Sequence, residues 1–264
     1  MPGTRRSFKN FGQQAGNPRV TIQKERGVQV GSNEETKKEC SVVKKDPFPI
    51  MEKSTGDVLL MFRFKLECLL RIQNACVKEK KVIQDAKGTI LGYAEDIKIY
   101  EGRRWPTHPK YGLLVMHFPS LEKAQRWMDS DRVFKQQDWP SAGDSLEVIV
   151  VPMHYLPSKD IRAFQLCEMY GIMNSESFQE HYVDRVSGLL DKTRIYHGVV
   201  ASADVCGLRQ SWIRPHTFVV LHCADSIDKL NNFYDSVDYE PYKEFRQRIC
   251  ETDSIMFTIK PIKS

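Results

Sequence analysis

From residue 56 onward the sequence has no excess of either charge, with 28 Lys and Arg against 28 Asp and Glu. The formal net charge of +5 therefore comes from residues 1–55, where 11 basic residues stand against 6 acidic ones. A neutral body behind a basic tail lacks the basic face that engages phosphates, so nucleic acid is not expected as a partner. No run of 18 apolar residues exists, which leaves no candidate for a membrane-spanning helix. The first thirty residues contain no apolar core of a secretory signal, and Met-Pro-Gly does not fit the myristoylation pattern. No C-x-x-C pair occurs. The seven cysteines (Cys40, Cys68, Cys76, Cys167, Cys206, Cys223 and Cys250) are odd in number and widely spaced. They are expected to be reduced thiols, several of them buried as small hydrophobes, in a cytoplasmic protein. The first 24 residues hold five basic residues and no acidic one, which keeps mitochondrial import open. Also missing are a nucleophile elbow, a phosphate loop, a dinucleotide fingerprint and an H-E-x-x-H pair, so no metal or cofactor is expected.

What is present is a repeated pattern. Residues 1–55 have few large apolar side chains and no sustained period, so they are expected to be a disordered basic segment. From there the order reads strand (VLLMFRF), helix (67–85), strand (KGTILGYAEDIKIY), strand (LLVMHF), helix (PSLEKAQRWM) and strand (SLEVIVVP). That is the β-α-β-β-α-β ferredoxin-like unit. A second pass follows: FQLCEMYG, a helix over SESFQEHYVDRVSGLLDK capped by Ser175, IYHGVVASADVC and RPHTFVVLHC. It closes with a helix capped by Asp225 or Ser226, then DSIMFTIKP. Gly92 and Gly198, like Asp129-Ser130 and Asp235-Ser236, lie 106 residues apart, while Val-x-His recurs at 105 in Val115–His117 and Val220–His222. The expected organisation is a first repeat over 56–153, a linker over 154–163 and a second repeat over 164–264. A lone ferredoxin-like sheet leaves one face uncovered, so the two repeats are expected to pair those faces as an intramolecular, pseudo-dimeric α+β barrel, monomeric as a chain.

The stretch YEGRRWPTHPKYGLLVMHFPSLEKAQRWMDS resembles domain-of-unknown-function family 1330, of the dimeric α+β barrel superfamily. In the first repeat the matching positions are Glu101, Gly102, Trp105, Pro106, Phe118, Pro119, Ser120, Ala124, Trp127 and Ser130. In the second they are Gly207, Phe233, Tyr234, Ser236, Tyr239 and Arg246. The first repeat keeps the Glu-Gly-Trp-Pro loop but has Val133 and Pro140 where the family has Tyr and Arg. The second keeps Tyr239 and Arg246 but has Cys206 in place of the loop Glu, and both carry His where the family has an acid. Each repeat has lost what the other kept. The resemblance therefore implies either one pocket assembled from both halves or drift of a duplicate under packing constraints alone.

Six residues are candidates for ligand binding. His117 alternates with Met116 and Phe118, so if Phe118 packs under the helices His117 faces the barrel interior, and His222 is expected to do the same in the other half. Glu101, Trp105, Tyr239 and Arg246 are candidates by resemblance, and no catalytic residue stands out. Two functions remain open, and the residues do not decide whether the chain is an enzyme. One is binding of a small hydrophobic or aromatic ligand between the repeats, with the oxidation or isomerisation found among superfamily relatives. The other is a non-catalytic scaffold whose basic tail docks an acidic protein partner. A filled barrel interior would favour the scaffold, and an open cavity with convergent polar groups the ligand.

Overall fold

The computed structural model describes residues 56–130, 146–153, 161–193, 195–201, 206–207, 212–214 and 217–263, with only the backbone at 196–201 and 206–207. The basic segment 1–55, most of the linker 154–163, Val133 and Pro140 lie outside the described residues.

Strand β1 (Val58–Lys65) is apolar almost throughout because both of its faces are covered. Val58, Leu60, Phe62 and Phe64 pack toward helices, while Leu59 and Met61 point into the space between two sheets. The other strands are β2 (Thr89–Ala94), β3 (Ile97–Glu101), β4 (Tyr111–Phe118), β5 (Glu147–Pro152) and β6 (Ala163–Tyr170). They are followed by β7 (Tyr196–Ala201), β8 (Cys206–Gly207), β9 (Phe218–Ala224) and β10 (Glu251–Thr258). One sheet has the order β2-β4-β1-β5-β8 and the other β3-β10-β6-β9-β7, with every pairing antiparallel. The protein is thus a mixed α+β fold with two antiparallel sheets.

Two strands expected to be continuous are each divided between the sheets. Residues 88–100 break at Glu95-Asp96, so that β2 pairs with β4 in the first sheet and β3 with β10 in the second. Residues 195–206 divide likewise, β7 pairing with β9 and β8 with β5. Alternation of side chains reports which face a residue occupies, not which neighbour its strand pairs with, so the division left no mark in the pattern. At the first crossing Gly92 has φ +151°, and a Cβ there would lie 2.5 Å from the Lys260 carbonyl oxygen. That close approach lets Tyr93 and Lys260 exchange backbone hydrogen bonds of 2.9 and 2.7 Å.

The first sheet is covered by α1 (Leu69–Asp85) and α2 (Leu121–Asp129). Ile72, Ala75, Cys76, Glu79 and Ile83 form the buried stripe of α1. Over the second sheet lie α3 (Ser175–Phe178), a π-helical turn at Gln179–Val183, α4 (Asp184–Thr193), α5 (Ile227–Tyr234) and α6 (Glu240–Ile249). Helices α2 and α5 are capped alike: Ser120 Oγ accepts from Lys123 N at 3.2 Å and Ser226 Oγ from Lys229 N at 3.4 Å. The cap of α3 is Asn174, whose side chain accepts from Ser177 N at 2.9 Å, and not Ser175 as the sequence suggested. Between the sheets Leu59, Met61, Leu113, Val115, Phe164, Leu166, Leu221 and Phe257 fill a continuous apolar layer. Cys68, Cys76, Cys167, Cys223 and Cys250 are free and buried, and burial pushes the Cys76 thiol up to about 12. Among the described residues no helix is long and apolar enough to cross a membrane.

Candidate functional site

The inter-sheet layer is apolar until it reaches one end of the strands, where charge enters it. On β6 and β10, Glu168 and Asp253 are directly opposed cross-strand partners, each 1% exposed. Phe164 and Leu166 set the inward parity of β6, and Ile255 and Phe257 that of β10, so both acids point between the sheets. The segment after β3 reaches over to meet them. Gly102, at φ +83°, leaves no room for a side chain, since a Cβ would sit 1.9 Å from Asp253 Oδ1. The turn instead aims the backbone N–H groups of Arg103 and Arg104 at that oxygen, at 2.7 and 2.9 Å. The Arg104 guanidinium donates to the Trp212 carbonyl at 2.5 Å and lies 3.6 Å from Glu168 Oε2 and 4.0 Å from Asp253 Oδ2. Trp212 Nε1 donates to Glu168 Oε1 at 2.8 Å. Burial dominates the titration of Glu168 and pushes it up to about 7; Asp253 adds to the rise, and the Trp212 hydrogen bond, Arg104 and Arg63 oppose it.

In the first sheet, β1 and β5 oppose Arg63 to Glu147. These two form an ion pair of 2.5 Å. The Arg63 guanidinium is enclosed by the rings of Trp105, Tyr111 and Trp212 at 5.0, 4.9 and 5.1 Å.

A second polar group joins the end of β3 to α6. Arg246, 2% exposed, grips Glu101 in two places, Nη2 to Oε1 at 2.5 Å and Nη1 to Oε2 at 3.0 Å. The Tyr234 hydroxyl donates to Glu101, and Arg246 also donates to the Thr252 hydroxyl. Burial pushes the Glu101 carboxyl up, but the Arg246 bonds outweigh it and hold the group below the usual carboxylate range. Tyr239 and Tyr182 share a 2.9 Å hydroxyl hydrogen bond beneath this pair, and burial raises both phenols.

Outside these two clusters lies an open cleft of about 600 Å³. Glu101, Arg103 and Arg104 bound it on the side of β3, and Tyr170, Arg214 and Asp253 on the side of the second sheet. Arg214 stacks over the Tyr170 ring at 4.4 Å, and burial, together with Asp253, pushes the Tyr170 phenol up to about 12. A further space of about 20 Å³, enough for one water, lies under α4 against Cys167, Tyr182, Val220 and His222.

Three of the six residues singled out from the sequence, Glu101, Tyr239 and Arg246, meet in one cluster drawn from both halves of the chain. Trp105 is packed edge-on against Trp212 at 5.9 Å in the inter-sheet layer. Phe118 packs beneath the helices, and His117 lies on the inward parity of β4, where its Nε2 pairs with Asp57 at 2.6 Å. His222 is a correction: it faces the helices and not the space between the sheets. Its inward neighbours are Leu221 and Cys223, its Nδ1 bonds Gln165 at 2.9 Å, and Phe233 of α5 packs on its ring. The Val-x-His match at 105 residues is one short of the 106 that separates Gly92 from Gly198 and Asp129 from Asp235, and a shift of one residue turns a strand side chain to the opposite face. The two histidines therefore share no cavity. Among the described residues no group of His, Cys, Asp and Glu could hold a metal ion.

Sequence reasoning passed over Arg63, Arg104, Glu147, Glu168, Trp212 and Asp253. A usable signal was present at one of them: Arg63 interrupts a run that is apolar on both faces from Val58 to Phe64, where a charge requires a buried partner.

No family model matches the chain, that of the resembled family included, and no curated protein matches it. Solved structures do. A mutant chlorite dismutase from Candidatus Nitrospira defluvii shares 9% identity, with 80% of this chain and 94% of that one covered at a TM-score of 0.45. An anthrone oxidase-like protein shares 11% identity over 77% of this chain and 91% of that one, at a TM-score of 0.42. Likeness at this level carries no assignment of activity.

Proposed function

We propose that residues 56–264 are a duplicated, fused ferredoxin-like unit whose function is to bind a small molecule in the cleft where the two halves meet. The equivalence of the two sheet orders supports the duplication: exchanging β2, β4, β1, β5 and β8 for β7, β9, β6, β10 and β3 turns one order into the other. The observation that carries the binding reading is the cleft itself. Its polar groups come from both halves, Glu101, Arg103 and Arg104 from one and Tyr170, Arg214 and Asp253 from the other. Convergent polar groups in a concavity of this size are the ordinary mark of a ligand site. The hydrophobic ligand expected from the sequence gives way to a polar one, because the apolar space between the sheets is occupied by side chains. The test is a fragment screen on the full-length chain followed by hydrogen–deuterium exchange. Hits should protect the peptides containing Arg103 and Asp253 and leave β4 unchanged. Hits that protect only helix surfaces, or no hits at all, would overturn the reading.

The filled inter-sheet layer favours a second reading, a non-catalytic scaffold whose basic residues 1–55 engage an acidic protein. Its signature would be binding of an acidic partner that disappears when residues 1–55 are removed and is indifferent to substitutions in the cleft.

A further inference from the structure

Resting on the cleft as the binding site, we infer that its ligand is a small organic anion, its negative group held by Arg103, Arg104 and Arg214 and its body laid along the wall formed by Tyr170. Three guanidiniums from two separate segments border one opening. Two of them lie over the same ring, Arg214 at 4.4 Å and Arg104 at 5.7 Å from the Tyr170 centroid, so the cations are gathered around a flat surface.

The acids of the cleft are largely committed elsewhere. Glu101 is gripped through both oxygens by Arg246. Asp253 is almost fully buried and spends Oδ1 on two backbone N–H groups. Glu168 lies behind Arg104 with Trp212 on one oxygen. Glu251, exposed at the rim, is the remaining carboxylate. Among the described residues neither Arg103 nor Arg214 has an ion pair. Arg104 is shared between Glu168 at 3.6 Å and Asp253 at 4.0 Å, so Arg103 and Arg214 carry the cleft's unpaired positive charge. Planar, fixed-charge guanidiniums match the paired oxygens of carboxylate and phosphate. An apolar ligand would strip water from these cations without replacing it, and a cationic ligand would meet like charge. Carboxylates and phosphates share the recognised chemistry, and experiment separates them.

The test titrates the full-length protein with benzoate, phenyl phosphate and benzylamine, three ligands with one ring and different charge. Binding is read by calorimetry and located by hydrogen–deuterium exchange. Benzoate, phenyl phosphate or both should bind and protect the peptides containing Arg103 and Asp253, and benzylamine should not. Binding of only one anion would identify the source as carboxylate or phosphate. Arg214→Ala, at an exposed position, should weaken anion binding about tenfold, the loss of one charge-assisted hydrogen bond. With the unaltered chain, anion affinity should fall as salt rises, so the claim remains exposed even if a variant fails to fold. Benzylamine protecting the same peptides, or anion affinity indifferent to both Arg214→Ala and salt, would overturn the anion assignment while leaving the cleft as a site. Absence of protection by all three ligands and by every fragment of the screen would remove both.

Discussion

Each of the two sheets carries a cross-strand pair of charged side chains, and the protein neutralises the two pairs in different ways. In the first sheet the opposed pair is Arg63 and Glu147, which neutralise each other across neighbouring strands. In the second it is Glu168 and Asp253, two acids that cannot neutralise each other. They depend on groups from the other half of the chain: the backbone N–H groups of Arg103 and Arg104, and the Arg104 guanidinium. A pair that satisfies itself is a packing element. A pair that must borrow its countercharge ties two halves together and leaves a carboxyl whose protonation is sensitive to what occupies the neighbouring cleft.

Substitutions can break that contrast, the largest effect coming from the clasp that holds β3 against the second half. Arg246→Ala would leave Glu101 buried without its cation, and chemical denaturation should register a loss of about 3–5 kcal/mol. Next, Arg104→Leu should cost about 2–4 kcal/mol at pH 8, where Glu168 is ionised, and clearly less at pH 5, where Glu168 is protonated. In the first sheet Glu147→Gln should cost less, about 1–3 kcal/mol, since three rings still enclose Arg63. Equal losses at pH 8 in those two variants would erase the contrast. The smallest effect should be common to both halves: Ser120→Ala and Ser226→Ala each remove a helix cap, and each should lower stability by about 1 kcal/mol.

Much of this fold is legible in the sequence. Phe118 lies under the helices, Ser120 and Ser226 cap their helices, and the succession of strands and helices along the chain follows the hydrophobic period. The exchange of β3 and β8 between sheets is not legible, because β pairing is a long-range choice that a strand's own residues do not record. His222 was placed on the wrong face by a one-residue match, an error the period of two amplifies into a full reversal. The meeting of Glu101 with Arg246 was anticipated only as complementary losses in the two halves, and their mutual ion pair emerges only when β3 is seen to pair with β10. Glu168 and Asp253 were hidden for another reason. A single charge in a strand reads as a surface residue until its opposite neighbour is known.

The central claim is that Glu168 is a buried carboxyl forced toward neutrality beside Asp253 at the joint between the halves. Its folded-state value of about 7 lies above the ordinary 4.5, so the folded state holds the proton more tightly than the unfolded one. The stabilisation this gives is fully present below about 4.5 and is lost as pH rises to about 7, a change on the order of 3 kcal/mol. The most direct measurement is unfolding free energy by denaturant titration from pH 4.5 to 8, for the full-length protein and for Glu168→Gln. The account predicts that the protein loses stability across this range, and that Glu168→Gln, which cannot ionise, removes most of that loss. Parallel profiles for the two proteins would contradict it.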